Sequence, residues 1–308
     1  MSRFRNRSVL SIRDMDREDL TEVMEVTGQV KSGMHGSFLE GSTIALLFFE
    51  PSTRTRLSFE SAVLQRGGRV VGFGSPEASS QSKGETFVDT IRTVTGYCDA
   101  MVIRHPVEGS ARLASEVASV PVVNAGDGAN QHPTQTFLDL FTIREQLGDI
   151  DGLHVGMMGD LKYGRTVHSL ATALRLFGAE ITLISPPTLR MPAHILAELT
   201  AAGIRCREIE QPEEAGRNLD VLYITRIQRE RFGDPQEYES VAHCYRVTAS
   251  TIDALGGKVR VMHPLPRVDE IAEEVDRMPN AIYFEQAHNG IPTRQALLGL
   301  VMGGLAHD

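Results

Sequence analysis

The apolar positions of this chain fall into short runs, and a polar corner follows each. Ile44 to Phe49 reads Ile-Ala-Leu-Leu-Phe-Phe, without alternation. That pattern predicts a strand buried on both faces, as in a parallel sheet. Runs at 70–73, 100–103, 120–123, 154–158, 180–184, 204–209, 221–223 and 259–262 predict further strands. Helical patterns at 53–66, 85–97, 109–118, 134–147, 166–177 and 192–202 lie between them, and a helix near 286–305 closes the chain. Within 166–177, Val167, Leu170, Ala171 and Leu174 recur at i, i+3, i+4, i+7 spacing. Residues 13–32 read as a polar surface helix with Asp16 as its cap. Repeated strand–helix order implies parallel sheets with right-handed crossovers. The helix at 134–147 bridges to a second set. The expected fold is therefore α/β: two open parallel-sheet domains joined by helices, with the active site in the interdomain cleft. The first domain spans 1–133, completed by the C-terminal helix 286–308, and the second spans 134–285. Two segments, 74–84 and 226–245, are polar and aperiodic and read as long loops, the first a candidate lid.

In open parallel sheets, ligands lie beyond the carboxyl ends of the strands. Arg54, Arg104, Asn124, Arg165, Arg226 and His263 all follow apolar strand runs. The densest corner is Pro51-Ser52-Thr53-Arg54-Thr55-Arg56. Pro51 breaks the strand, Ser52 and Thr53 stand where a helix needs its N-cap, and an amphipathic pattern follows. Unpaired backbone N–H groups and the positive end of the helix dipole favour an anion there. Arg54 adds charge-assisted hydrogen bonds. Capping accounts for one hydroxyl, not for the whole Ser-Thr-Arg-Thr-Arg series, so the corner is an oxyanion or phosphate site.

Length and composition narrow the partners. With 308 residues, two domains are expected. The formal net charge of -9 disfavours nucleic acid, so the gathered arginines suit a small anion held locally. Cys98, Cys206 and Cys244 are scattered, with no disulfide or metal spacing, which fits a reducing cytoplasm. No apolar run reaches a membrane span and no signal-peptide pattern opens the chain.

Gly159 to Thr166 nearly matches a P-loop, with Arg165 where the lysine belongs. Arginine does not replace that lysine, and the loop has no central glycine, so the better reading is a helix start presenting Arg165 to a carboxylate. In Gln131-His132-Pro133-Thr134-Gln135, Pro133 suits a first helical turn, and His132 and Gln135 are three apart, able to point the same way. Lys83 in its loop reads as solvated, and His263 as a structural histidine, when each is taken alone. No nucleophile motif and no His/Asp/Glu metal spacing is present, so neither metal nor cofactor is expected. The polar groups at the strand ends read as cationic or neutral. Such a set stabilises negative charge and points to group transfer between bound anions by positioning and electrostatics.

Six segments together carry a family resemblance. They are Ser52-Thr53-Arg54-Thr55-Arg56, Lys83-Gly84-Glu85, Arg104-His105-Pro106, His132-Pro133-Thr134-Gln135, Gly164-Arg165-Thr166-Val167-His168 and His263-Pro264-Leu265-Pro266. In this order, over nearly the whole chain, they resemble the aspartate/ornithine carbamoyltransferase family. The resemblance implies that carbamoyl phosphate and L-aspartate give N-carbamoyl-L-aspartate and phosphate, a step of pyrimidine synthesis, with ornithine as the alternative acceptor. Ser52, Thr53, Arg54 and Thr55 are implied to hold the phosphate. Thr55, Arg104 and His132 are implied to polarise the carbamoyl oxygen. Gln135 and the main-chain carbonyls of Leu265 and Pro266 are implied to bind the carbamoyl amino group. Arg165 and Arg226, with Gln228, are implied to hold the aspartate carboxylates. Ser79 and Lys83 are implied to reach a neighbouring subunit's site, so the site is shared within a homotrimer; Ser80 is the adjacent alternative for the serine. Ornithine-specific relatives carry a cysteine where Pro264 stands, and two arginines suit a dicarboxylate, so aspartate is the expected acceptor. One departure is Gln81-Ser82-Lys83, where some relatives have a second lysine. The stretch Met157 to Tyr163 resembles catalytic chains that pair with separate regulatory chains, which makes such a chain a candidate partner.

Overall fold

The computed structural model describes residues 2–33, 36–75 and 84–305. The chain forms two compact units: residues 1–141 with 289–308, and residues 142–288. Among the described residues, no helix is long and apolar enough to cross a membrane.

The first unit is built on β1 (Thr43–Phe48), β2 (Arg69–Phe73), β3 (Ala100–His105) and β4 (Val122–Asp127). They form one sheet in the order β2-β1-β3-β4, all parallel. β1 is buried along all but its first residue, as its unbroken apolar run requires. Each such Leu or Phe contributes about 1.5–3 kcal/mol by leaving water. β2, at the sheet edge, is largely exposed. On one face, Ala45, Leu47, Ile91, Ile103 and Ala114 form an apolar cluster. The helices of this unit are α1 (Arg17–Lys31), α2 (Thr53–Leu64), α3 (Phe87–Val94) and α4 (Ser110–Val117).

α1 differs from the expected polar surface helix. It starts later, at Arg17, and buries Leu20, Val23, Met24, Val26 and Val30. The charges between those positions mask a continuous apolar face. Asp16 does cap it, accepting from the Asp19 N–H at 2.9 Å. β3 and β4 run further than their apolar runs, through Arg104-His105 and Asn124–Asp127. Backbone pairing continues where hydrophobicity stops.

The chain leaves the first sheet through α5 (Pro133–Leu147). The second unit contains β5 (His154–Met158), α6 (Arg165–Leu174), β6 (Glu180–Ile184), α7 (Ala193–Ala201), β7 (Cys206–Ile209), β8 (Val221–Ile224), α8 (Pro235–Glu239), α9 (Ala249–Ala254) and β9 (Arg260–Met262). Its sheet is parallel, in the order β7-β6-β5-β8-β9. Segment 226–245, expected to be a plain loop, holds α8 and a 3-10 turn at Arg229–Arg231. Phe232 stacks edge-on with both Tyr163 and Tyr238, centroids 6.0 and 5.6 Å apart. Aromatic packing thus orders a stretch that lacks periodicity. α9 was not anticipated either; six residues are too few for a helical period. α10 (Tyr283–Met302) closes the chain, with Leu297, Leu300 and Val301 buried.

Candidate active site

Strand order explains where the polar corners fall. In the first sheet, β1 is followed by β2 on one side, and the chain then crosses to β3 on the other. The order reverses between β1 and β3, the kind of switch point at which open α/β sheets hold ligands. The Glu50–Arg56 corner leaves β1 there, and Arg104 ends β3 beside it. The Phe49 N–H donates to the Arg104 carbonyl at 2.8 Å. In the second sheet, the order reverses between β5 and β8. Arg165 follows β5, and Arg226 follows β8.

The first corner has the features of an anion site. Ser52 stands at the N-cap of α2 but makes no side-chain cap hydrogen bond, and the first turn carries no acid. The hydroxyl expected to cap thus leaves the helix amides to another acceptor. Thr53 and Arg54 are exposed, whereas Thr55 is buried.

Arg104 is not an isolated cation. Its Nε lies 2.7 Å from Glu50 Oε1, and both side chains are mostly buried. Its Nη1 donates to the Ala125 carbonyl at 3.4 Å. Beside it, His105 packs against Phe49 and Phe87, and burial lowers its pKa.

His132 and Gln135 are both buried at the start of α5. Thr134 Oγ1 lies 3.4 Å from His132 Nδ1. The turn before them is held by Asp127, whose carboxylate accepts from Asn124 Nδ2 at 2.9 Å, Asn130 Nδ2 at 3.0 Å, the Gln131 N–H at 3.1 Å and the Gly109 N–H at 2.8 Å. β4 and the start of α5 are therefore joined through one buried carboxylate.

In the second unit, the segments that follow β5 and β8 are stitched together. Asp160 N–H donates to Thr225 Oγ1 at 3.1 Å, and Thr225 N–H to the Met158 carbonyl at 2.8 Å. Gly159 has φ +115, and a Cβ there would sit 2.1 Å from the Thr225 carbonyl oxygen. Only glycine allows that approach. Asp160 is fully buried, its Oδ1 accepting from the Tyr163 N–H at 2.9 Å. Burial raises its pKa, against the main-chain donors of Tyr163, Gln228 and Lys162. Gln228 Nε2 in turn reaches the Tyr163 carbonyl at 3.5 Å. Asp160 thus ties the loop bearing Arg165 to the one bearing Arg226 and Gln228. Arg226 also lines an open cavity with Tyr238, His243, Tyr245 and Glu270.

His263 directly follows β9 and is buried. Its Nδ1 accepts from the Leu265 N–H at 2.8 Å, so the ring proton sits on Nε2, which donates to Glu270 Oε1 at 2.7 Å. Burial lowers the pKa of His263 and keeps it neutral. Burial opposes the Glu270 carboxylate too, but the His263 hydrogen bond and the Val268 N–H outweigh it. Leu265 adopts a left-handed φ of +56, and its peptide to Pro266 is cis. A non-glycine residue there costs on the order of 1–3 kcal/mol and persists only where its surroundings hold it.

Family models match both halves: the carbamoyl-P binding domain of aspartate/ornithine carbamoyltransferase over residues 7–145, and its Asp/Orn binding domain over residues 151–301. The chain belongs to the aspartate/ornithine carbamoyltransferase family. Within it, the chain is 56% identical over 308 residues to an aspartate carbamoyltransferase catalytic subunit of Methanopyrus kandleri, covering 99% of this chain and 100% of that one. It is 53% identical over 306 residues to the counterpart from Thermococcus onnurineus, covering 98% and 99%. Among solved structures it resembles the catalytic subunit of M. jannaschii aspartate transcarbamoylase, at TM-score 0.89 and 47% identity over 96% of this chain and 98% of that one. It also resembles the Trypanosoma cruzi aspartate transcarbamoylase in complex with carbamoyl phosphate and aspartate, at TM-score 0.91 and 38% identity over 98% of each chain.

For a carbamoyltransferase, the expectation of a cationic or neutral site needs correcting. Within the first unit, Glu50 and Asp127 stand beside motif residues, and within the second, Asp160 and Glu270 do, each hydrogen-bonded or paired. Ser79, Ser80 and Lys83 lie outside the described residues.

Proposed function

We propose that this chain transfers the carbamoyl group of carbamoyl phosphate to the amine of L-aspartate, giving N-carbamoyl-L-aspartate and phosphate. The observation that carries the choice of acceptor is the placement of Arg165 and Arg226 in the segments that follow the two strands flanking the second switch point. Two guanidiniums suit a dicarboxylate and repel a diamino acid. Pro264 stands where a thiol would suit ornithine.

The first unit takes carbamoyl phosphate. The α2 amides with Ser52, Thr53, Arg54 and Thr55 hold the phosphate. Thr55, Arg104 and His132 donate to the carbamoyl oxygen as it gains charge. Gln135 and the carbonyls of Leu265 and Pro266 accept from its amino group. Arg165, Arg226 and Gln228 hold aspartate. The neutral amine attacks the carbamoyl carbon, the new C–N bond forms, and the C–O bond to phosphate breaks. The departing phosphate takes the amine proton, so no strong enzyme base is required.

The reading extends to assembly. A homotrimer in which Ser79 and Lys83 enter a neighbour's site accords with Leu57 and Leu64 of α2 and Val71 of β2, large apolar side chains that stay exposed on the single chain. A cytoplasmic setting accords with three free cysteines. A separate regulatory chain is a proposed partner, and the pathway is pyrimidine synthesis. The test of the reaction is turnover of carbamoyl phosphate with aspartate against ornithine, without added metal or nucleotide. Carbamoyl-aspartate as the main product is expected; equal or greater turnover with ornithine overturns it.

A further inference from the structure

Gln135 and Asp139 lie one turn apart on α5, and both are buried. Gln135 Nε2 donates to Asp139 Oδ1 at 2.9 Å. An ionised carboxylate only accepts, so this bond decides which end of the amide it holds: the nitrogen is engaged, and Oε1 remains the acceptor end.

Asp139 is fully buried, and a charge there requires a counterpart. Arg294 of α10 is itself buried, and its charge interacts electrostatically with Asp139. Its Nη1 donates to Ser58 Oγ at 2.8 Å, and its guanidinium lies 4.9 Å from the Phe59 ring centroid. A Cβ at Gly290 would fall 2.2 Å from that Nη1, so a side chain one turn earlier would displace the guanidinium. The last helix of the chain therefore carries a buried cation fixed against Ser58 and Phe59 of α2.

We propose that Asp139 is a positioning residue that sets the Gln135 amide with its oxygen toward the carbamoyl amino group. The proposal rests on the role given to Gln135 above. Asp139 never touches the substrate; it makes the site discriminate an amino group from an isosteric methyl. In Asp139→Asn the new amide can donate to Gln135 Oε1. The glutamine then turns over and faces the carbamoyl amino group with its own N–H groups.

The test compares carbamoyl phosphate with acetyl phosphate, in which a methyl replaces the amino group. For Asp139→Asn, the KM for carbamoyl phosphate is expected to rise about tenfold or more, while competitive inhibition by acetyl phosphate changes less than about twofold, since only the former loses a paired polar group. Equal losses for both compounds, or no loss for either, overturn the proposal. Gln135→Ala separates the two levels. If it loses the carbamoyl preference and Asp139→Asn keeps it, positioning by Asp139 fails alone; if it keeps the preference, the role of Gln135 fails as well. The double variant Asp139→Asn/Arg294→Gln leaves no uncompensated buried charge, so the comparison survives should the single variant fold poorly.

Discussion

Glu50 Oε1 and Arg104 Nε are 2.7 Å apart, at the ends of two hydrogen-bonded strands. The carboxylate is the residue that opens the anion corner, and the guanidinium is one that the proposed reaction sets on the carbamoyl oxygen. A fixed carboxylate orients the guanidinium fork. Replacing it keeps the guanidinium and its charge but loosens its orientation. Glu50→Gln is expected to lower kcat about tenfold to a hundredfold, the scale of a misplaced catalytic group. Steady-state kinetics checks this, and an unchanged kcat refutes the orienting role.

Arg54 stands exposed in the first turn of α2. Its charge adds to helix amides that no side chain caps. Arg54→Ala is expected to lower kcat by more than about a hundredfold, as loss of one preorganised donor can. Because the side chain is exposed, the melting temperature should move little. A near-normal rate removes the corner from the mechanism.

Both parallel sheets were legible because buried parallel strands are written as unbroken apolar runs, Ile44–Phe49 being the plainest. A polar residue directly after such a run, as Arg104 after Ile103, falls at the sheet's carboxyl edge for the same reason. The acidic partners of such residues were not legible. Nothing in the spacing of Glu50 and Arg104, or of Gln135 and Arg294, tells that the fold brings their surroundings together, because those contacts depend on strand order and on the return of α10. The buried face of α1 does not show through the polar-helix pattern, because the chain alternates charged with apolar residues within each turn. Segment 226–245 was misjudged because its order comes from the ring contacts of Tyr163, Phe232 and Tyr238.

Asp160 links two arginine-bearing loops rather than touching the acceptor in this account. Asp160→Asn keeps the shape and leaves an amide oxygen to accept the Tyr163 N–H, so that bond loses its charge assistance. The KM for aspartate is expected to rise about tenfold, with the KM for carbamoyl phosphate nearly unchanged, the scale of losing a charge-assisted hydrogen bond. Equal shifts in both constants mean that Asp160 serves the unit as a whole.

The shared-site reading of Lys83 has its own test. A Lys83→Ala chain and an Arg54→Ala chain are each expected to be nearly inactive. Mixed trimers place an intact Lys83 beside an intact Arg54 in some sites, so part of the activity should return. Subunit exchange verified by mass spectrometry without recovered activity rules the arrangement out.

His263 gives a pH prediction. Burial lowers its folded pKa below the ordinary 6.5. The unfolded chain therefore takes up the proton first as pH falls, and the linkage favours unfolding below about 6.5. The stabilising contribution is complete above that value and declines as pH drops through it. The neutral ring also holds Leu265 through Nδ1, which a second proton would block. His263→Gln should flatten the fall in stability between about pH 6.5 and 5, since its amide does not titrate there. Chemical denaturation of both proteins across that interval measures it. Nitrogen NMR of the native protein should find Nδ1 unprotonated at neutral pH. Identical pH slopes for the two proteins, or a protonated Nδ1, exclude the assignment.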